Sequence, residues 1–161
     1  MKKLNINTGM ETYEINGGEA NGGGVLRFNP SDPNVYNRFY DAQDKISAVE
    51  NELVEKGKAI SANDDQTESA VGAVRLMADA DRQVKAILAE VFGEGNDFNA
   101  MLGGVNMMAV ATNGERVVTN LLNALLPIVQ AGAEQCTSAR SEIAVTQAKA
   151  NRAQRRAAVK S

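Results

Sequence analysis

The feature that most constrains this chain is a helix signal that starts at Asp32-Pro33 and continues to Leu53. Aspartate followed by proline is typical of a helix start, because the carboxylate accepts a backbone hydrogen bond and proline needs none. Apolar side chains then recur at alternating spacings of four and three, which places them on one side of a helix that lies on another helix. This seam consists of Val35, Phe39, Ala42, Ile46, Val49 and Leu53.

A short β-structure precedes this helix. Residues 25–28 favour a strand, and Pro30 ends it because proline has no N–H for a ladder hydrogen bond. Upstream, residues 4–7 and 11–15 alternate as two further short strands around a glycine turn, and a glycine-rich loop follows them. We therefore expect an N-terminal β-ribbon of two or three strands within residues 3–29.

Two helices follow one another in the first half of the chain. The first is expected from Pro33 to about Lys58, near Gly57, and the second from about Gln66 to Phe92, where Gly93 ends it. The apolar stripe of the second helix is Val71, Val74, Met77, Val84, Ile87, Leu88 and Val91.

Asp81 lies within this stripe, where aspartate is unusual. It either reaches solvent or pairs with a basic side chain of the first helix, or it makes a polar contact that sets helix register or meets a partner.

The second half of the chain is predicted to contain one turn of helix and one dense apolar helix. Asp97 can cap a turn through Leu102, whereas residues 105–111 are too short to assign to helix or strand. A third long helix begins near Glu115, and Pro127 should kink or divide it.

Composition supports a mainly α fold. Aromatic residues make up 4% of the chain and tryptophan is absent, so the core must be built from aliphatic side chains and methionine. We predict a mainly α (α+β) protein with one domain at residues 1–136, whose helical part is 32–136, and a basic tail at 137–161. The tail should be a solvated or fraying helix, or a disordered arm that orders on a partner. Its basic residues are Arg140, Lys149, Arg152, Arg155, Arg156 and Lys160.

The residues needed for common catalytic sites are missing. There is no histidine, which is the usual general base and metal ligand, and Cys136 therefore has no histidine to activate it. The glycine clusters do not fit a phosphate loop. We expect no enzyme activity, no cofactor and no metal site.

The longest apolar runs are shorter than a bilayer span and no signal peptide is recognisable, so a cytosolic protein without a membrane segment is expected.

Several segments together carry a family resemblance. They are Tyr13–Gly17 at the end of the ribbon, Phe28–Phe39 at the strand-to-helix junction, Val91–Phe98 at the end of the second helix, and Gly103–Asn106 before the last. In this order they resemble the tail assembly chaperones of long-tailed phages and prophages of Gram-positive bacteria. The resemblance covers roughly Glu11 to Gln135, and the basic tail falls outside the family pattern.

The resemblance implies a function. Such a protein binds the helical tape-measure protein in the bacterial host cytoplasm, prevents its aggregation, helps to recruit tail-tube protein, and leaves the finished virion. A homo-oligomer is possible under this hypothesis, and family members are often extended by translational frameshifting. The candidate contact residues are Phe39, Ile46, Val49, Leu53, Met107 and Met108.

Alternatives to this hypothesis remain. Ordinary core packing is the default alternative for each candidate contact residue. The protein can instead be a structural tail or head-tail completion component of the virion. A small nucleic-acid-binding protein would use the basic tail, but this is disfavoured because the tail has no aromatic side chain on which a base can stack.

Overall fold

The computed structural model describes residues 1–62 and 64–159. Its elements are strands β1 (Glu11–Ile15) and β2 (Gly24–Phe28), then helices α1 (Pro33–Ser61), α2 (Gln66–Phe92), α3 (Phe98–Met101) and α4 (Val117–Val159). The predicted fold class is confirmed: a small antiparallel ribbon is followed by helices.

The ribbon pairs different segments from those expected. β1 pairs with β2 across the glycine-rich loop, with Tyr13 opposite Leu26. The predicted strand at residues 4–7 is wrong, since residues 1–10 form no strand. The physical reason is burial: β2 lies on the core through Leu26 and Phe28, so pairing with β2 places Tyr13 and Ile15 of β1 against the same core.

Helix α1 begins as predicted and ends later than predicted. Asp32 accepts a hydrogen bond from the backbone N–H of Asn34 at 2.9 Å, which confirms the N-cap. Gly57 does not end the helix, which continues to Ser61. A glycine costs a helix only about 1 kcal/mol, and contacts with α2, such as the bond from Ser69 Oγ to the Ile60 carbonyl at 3.0 Å, hold the last turn.

Helices α1 and α2 form an antiparallel hairpin whose core lies at the end nearest the ribbon. The whole predicted seam of α1 is buried. In α2 the bounds are as predicted, but buried residues begin only at Ala80. Val71 and Val74 are exposed, because the distal part of the hairpin extends beyond the core.

The last helix is longer than expected. α4 starts two residues after Glu115 and runs without division through Pro127 to Val159. Its last buried residue is Gly132, and every described residue from Thr137 onward is exposed. The predicted solvated helix is therefore confirmed for residues 137–159, which we call the arm. At about 1.5 Å per residue the arm extends about 35 Å.

A candidate protein-binding surface

The predicted contact residues lie inside the protein. Phe39, Met107 and Met108 are completely buried, and Ile46, Val49 and Leu53 are nearly so. Their position is that of ordinary core residues, which was the alternative to a role in partner contact. A partner cannot touch these side chains without opening the domain, so a binding surface has to be sought elsewhere.

The two methionines are buried because the connector between α3 and α4, residues 102–116, is bound to α2. Asp81 Oδ1 accepts the backbone N–H of Met107 at 2.7 Å, and Asp81 Oδ2 pairs with Lys85 Nζ at 2.8 Å. Lys85 also donates to Asn99 Oδ1 at 2.8 Å. Asp81 Oδ2 thus pairs within its own helix instead of with α1, and Asp81 Oδ1 positions the connector.

A second polar side chain fixes the ribbon. Asn96 Oδ1 accepts the backbone N–H of Arg27 at 2.8 Å, and Asn96 Nδ2 donates to the Arg27 carbonyl at 2.8 Å and to the Phe92 carbonyl at 2.7 Å. The amide therefore acts as a one-residue strand at the outer edge of β2. Asn96 is also the one buried polar residue of the described part of the chain.

The side of α4 that packs on the body continues into the arm. Leu125, Val129 and Gly132 are buried against the body, and Cys136 is half-buried. The same spacing of four and three then continues past the body, and there its residues are exposed. This arm seam consists of Ala139, Ile143, Thr146, Ala150, Ala153 and Ala157.

An open groove of about 930 Å³ lies where α4 leaves the body, between α4 and the start of α1. Tyr36 and Tyr40 form its aromatic wall, with ring centroids 4.7 Å apart. The hydrogen bond to Tyr40 raises the pKa of Tyr36 above its ordinary value. Cys136 and Arg140 line the α4 side. We call this the tyrosine groove.

The predicted basic residues are exposed along the arm. At 100° per residue, Lys149, Arg152, Arg155 and Arg156 lie within about a third of the helix circumference. Arg152 and Arg155 are opposite the arm seam, Lys149 and Arg156 flank it, and Arg140 lies apart from them at the tyrosine groove. Lys160 lies outside the described residues. The arm therefore has one side of small apolar residues and one basic side.

The chain matches no protein-family model, no curated protein and no solved structure.

No group of three or more His, Cys, Asp or Glu side chains among the described residues is placed to hold a metal ion. No helix in residues 1–62 and 64–159 is both long and apolar enough to cross a membrane.

The surface that this geometry favours differs from the one that the sequence predicted. The arm seam is accessible and mostly apolar, and the adjacent tyrosine groove combines two aromatic rings with polar side chains such as Glu134 and Thr137. Together they suit the docking of an amphipathic helix. Sequence reasoning missed both. The sequence does contain the pattern of the arm seam, since the spacing of four and three continues from Leu125 to Ala157. Most seam positions in the arm are alanine, however, and side chains this small do not predict a buried helix side.

Proposed function

We propose that this protein is a non-enzymatic tail assembly chaperone of a long-tailed phage or prophage, which binds the tape-measure protein in the bacterial host cytoplasm. The observation that supports this best is the arm seam: the core-facing side of α4 continues for about 35 Å, where none of the described residues of the body covers it. The family resemblance of residues 11–135 supplies the identity of the client.

The arm seam suits a helical client physically. Small side chains let two helix backbones approach closely, and Ile143 provides one larger knob near the body. The tyrosine groove adds aromatic surface at the base of the arm, and tyrosine is favoured at binding sites because its ring buries area while its hydroxyl stays hydrated. A long client helix would therefore lie along α4 with its end near Tyr36 and Tyr40.

The basic side of the arm gives a second contact. With the client on the arm seam, Arg152 and Arg155 face away from it, and together with Lys149 and Arg156 on the flank they can meet acidic groups of another subunit. In the proposed function this second subunit is the tail-tube protein. The nucleic-acid alternative predicts a steep loss of binding as salt rises, and a salt titration with duplex and single-stranded DNA tests it.

Two matched arm variants test client binding. Ile143→Glu places a charge on the arm seam, and Val145→Glu places the same charge on the other side of the helix; both side chains are more than half exposed. On co-expression with the tape-measure protein, we expect the wild type and Val145→Glu to keep it in solution and to co-elute with it in size exclusion. Ile143→Glu should lose the complex.

Two results would contradict the chaperone. The first is a tape-measure protein that stays insoluble with the wild type. The second is stoichiometric presence of this chain in purified virions by mass spectrometry, which would favour the structural tail or head-tail completion role instead.

A further inference from the structure

The ribbon has one closed edge and one open edge. Both backbone groups of Arg27 on β2 are bonded to Asn96, so they point away from β1. Arg27 and its partner Thr12 are therefore a non-hydrogen-bonded pair, and the alternation of an antiparallel ladder makes Glu14 and Val25 another. The N–H and C=O of Thr12 and Glu14 consequently point outward from β1. Within the described part of the chain no third strand pairs with that edge.

An apolar groove adjoins this open edge. It lies between β1 and α4, has a volume of about 450 Å³, and is lined by Ile15 of β1 and by Leu121, Leu125 and Ile128 of α4, among others. We call it the edge groove. A strand added to β1 would cover it, because the side chains on the inner face of such a strand would point at α4 as Tyr13 and Ile15 do.

The N-terminal segment has the pattern of the missing strand. Leu4 and Ile6 alternate with Asn5 and Asn7, yet Leu4 is 83% and Ile6 70% exposed. Large apolar side chains that alternate on a segment without pairing are typical of a strand whose partner lies elsewhere.

The segment does not turn back along its own β1. The Thr8 carbonyl accepts a hydrogen bond from Asn29 Nδ2 at 2.9 Å, so the chain is held beside the residue that follows β2. Gly9 has φ +67° and packs so closely there that a Cβ would lie 2.8 Å from Asn29 Nδ2. The chain thus leaves the ribbon on the β2 side, away from the open edge.

We propose that residues 3–8 of a second copy of this chain add as a third strand to the open edge of β1, with Leu4 and Ile6 in the edge groove. The outward N–H and C=O groups of Thr12 and Glu14 supply the ladder bonds. The charges are complementary, since Lys2 and Lys3 lie at the start of the donated segment and β1 carries Glu11 and Glu14. Because each copy has both the segment and the edge, reciprocal exchange gives a closed two-fold dimer.

The oligomeric state gives the first test. By size exclusion with light scattering, the wild type should have the mass of two chains, and Leu4→Asp/Ile6→Asp the mass of one, with an unchanged helical circular dichroism signal. The matched control is Val71→Asp/Val74→Asp, which places the same charges on exposed apolar residues of α2 and should stay dimeric. A monomeric wild type, or a dimer lost only in the α2 control, overturns the proposal.

Disulfide cross-linking gives the second test. It distinguishes pairing of residues 3–8 with β1 of a second copy from pairing with β1 of the same chain. In a Cys136→Ala background, Ile6→Cys and Ile128→Cys are made in separate chains, mixed, and oxidised. A cross-linked species of two chains is expected. With both cysteines in one chain, a cross-linked monomer would show that the segment closes on its own β1, and it would overturn the proposal. Absence of any disulfide would indicate a different protein as the occupant and would also overturn it.

This dimer goes beyond the proposed client binding and does not depend on it. The arm variants leave the edge groove untouched, and the N-terminal variants leave the arm untouched. Failure of one proposal is therefore distinguishable from failure of the other.

Discussion

At the scale of single residues, Asp81 decides how the connector is held. Its side chain is 16% exposed, and that of its partner Lys85 is 14% exposed. Such a pair is stable only if further hydrogen bonds satisfy both groups, and the Met107 N–H and the Asn99 amide oxygen do so. An aspartate in an apolar stripe is therefore explained by a backbone N–H 26 residues away along the chain.

We predict that Asp81→Ala lowers the free energy of unfolding by roughly 2–4 kcal/mol, because it leaves the Met107 N–H without an acceptor and the Lys85 ammonium without its counter-charge. Asp81→Asn should cost less, since its amide oxygen can still accept the N–H. Urea unfolding measures both.

The matched control is Asp79→Ala, which removes an exposed carboxylate from the same helix and should change stability by less than about 1 kcal/mol. Equal losses for Asp79→Ala and Asp81→Ala would show that the connector is not held by Asp81.

At the scale of elements, the approach of α4 to the ribbon depends on Gly132. A Cβ at this position would lie 1.9 Å from the Pro30 carbonyl oxygen, so the helix and the segment after β2 are in backbone contact. A glycine in a helix interior normally costs stability, and here it allows α4 to pack where its buried stripe ends.

Two glycine-to-alanine variants test this contact. Gly132→Ala should destabilise the protein by about 1–3 kcal/mol, because backbone must move to admit the methyl group. Gly57→Ala has nothing within 4 Å of its added Cβ, so it should be neutral or stabilise α1 by up to about 1 kcal/mol. Thermal unfolding compares the two, and a stabilised Gly132→Ala would contradict the observed contact.

At the scale of the whole molecule, one core joins the ribbon to the helices. Phe28 of β2 meets Phe92 of α2 at a centroid distance of 4.9 Å, and Phe92 also contacts Phe39 and Phe98. The four phenylalanines of the chain thus concentrate where β2, the α1–α2 hairpin and α3 meet. Beyond this core, the distal hairpin and the arm extend with little burial.

Ile46→Asp tests whether the α1 seam is internal. Ile46 is almost fully buried, so an unpaired carboxylate there should cost more than about 4 kcal/mol and unfold the domain. Far-UV circular dichroism should show the loss of most helix, and sizing should show an expanded chain. Val54→Asp, on an exposed position of the same helix, should remain folded. A folded but dissociated Ile46→Asp would mean that the seam faces another subunit.

Local patterns of the sequence determined the helices. The Asp32 cap, the seam of α1, the bounds of α2 and the capped turn at Asp97 were all predictable, because capping and periodicity depend on residues within one or two turns.

Only the tertiary structure decided what covers each apolar side. The sequence shows that a helix side or a strand is apolar, but the covering element can come from any distance along the chain. Thus β1 pairs with β2 and not with residues 4–7, and Met107 and Met108 are buried because Asp81 binds the connector. The seam of α4 is covered as far as Gly132, where the body ends, and is open beyond it.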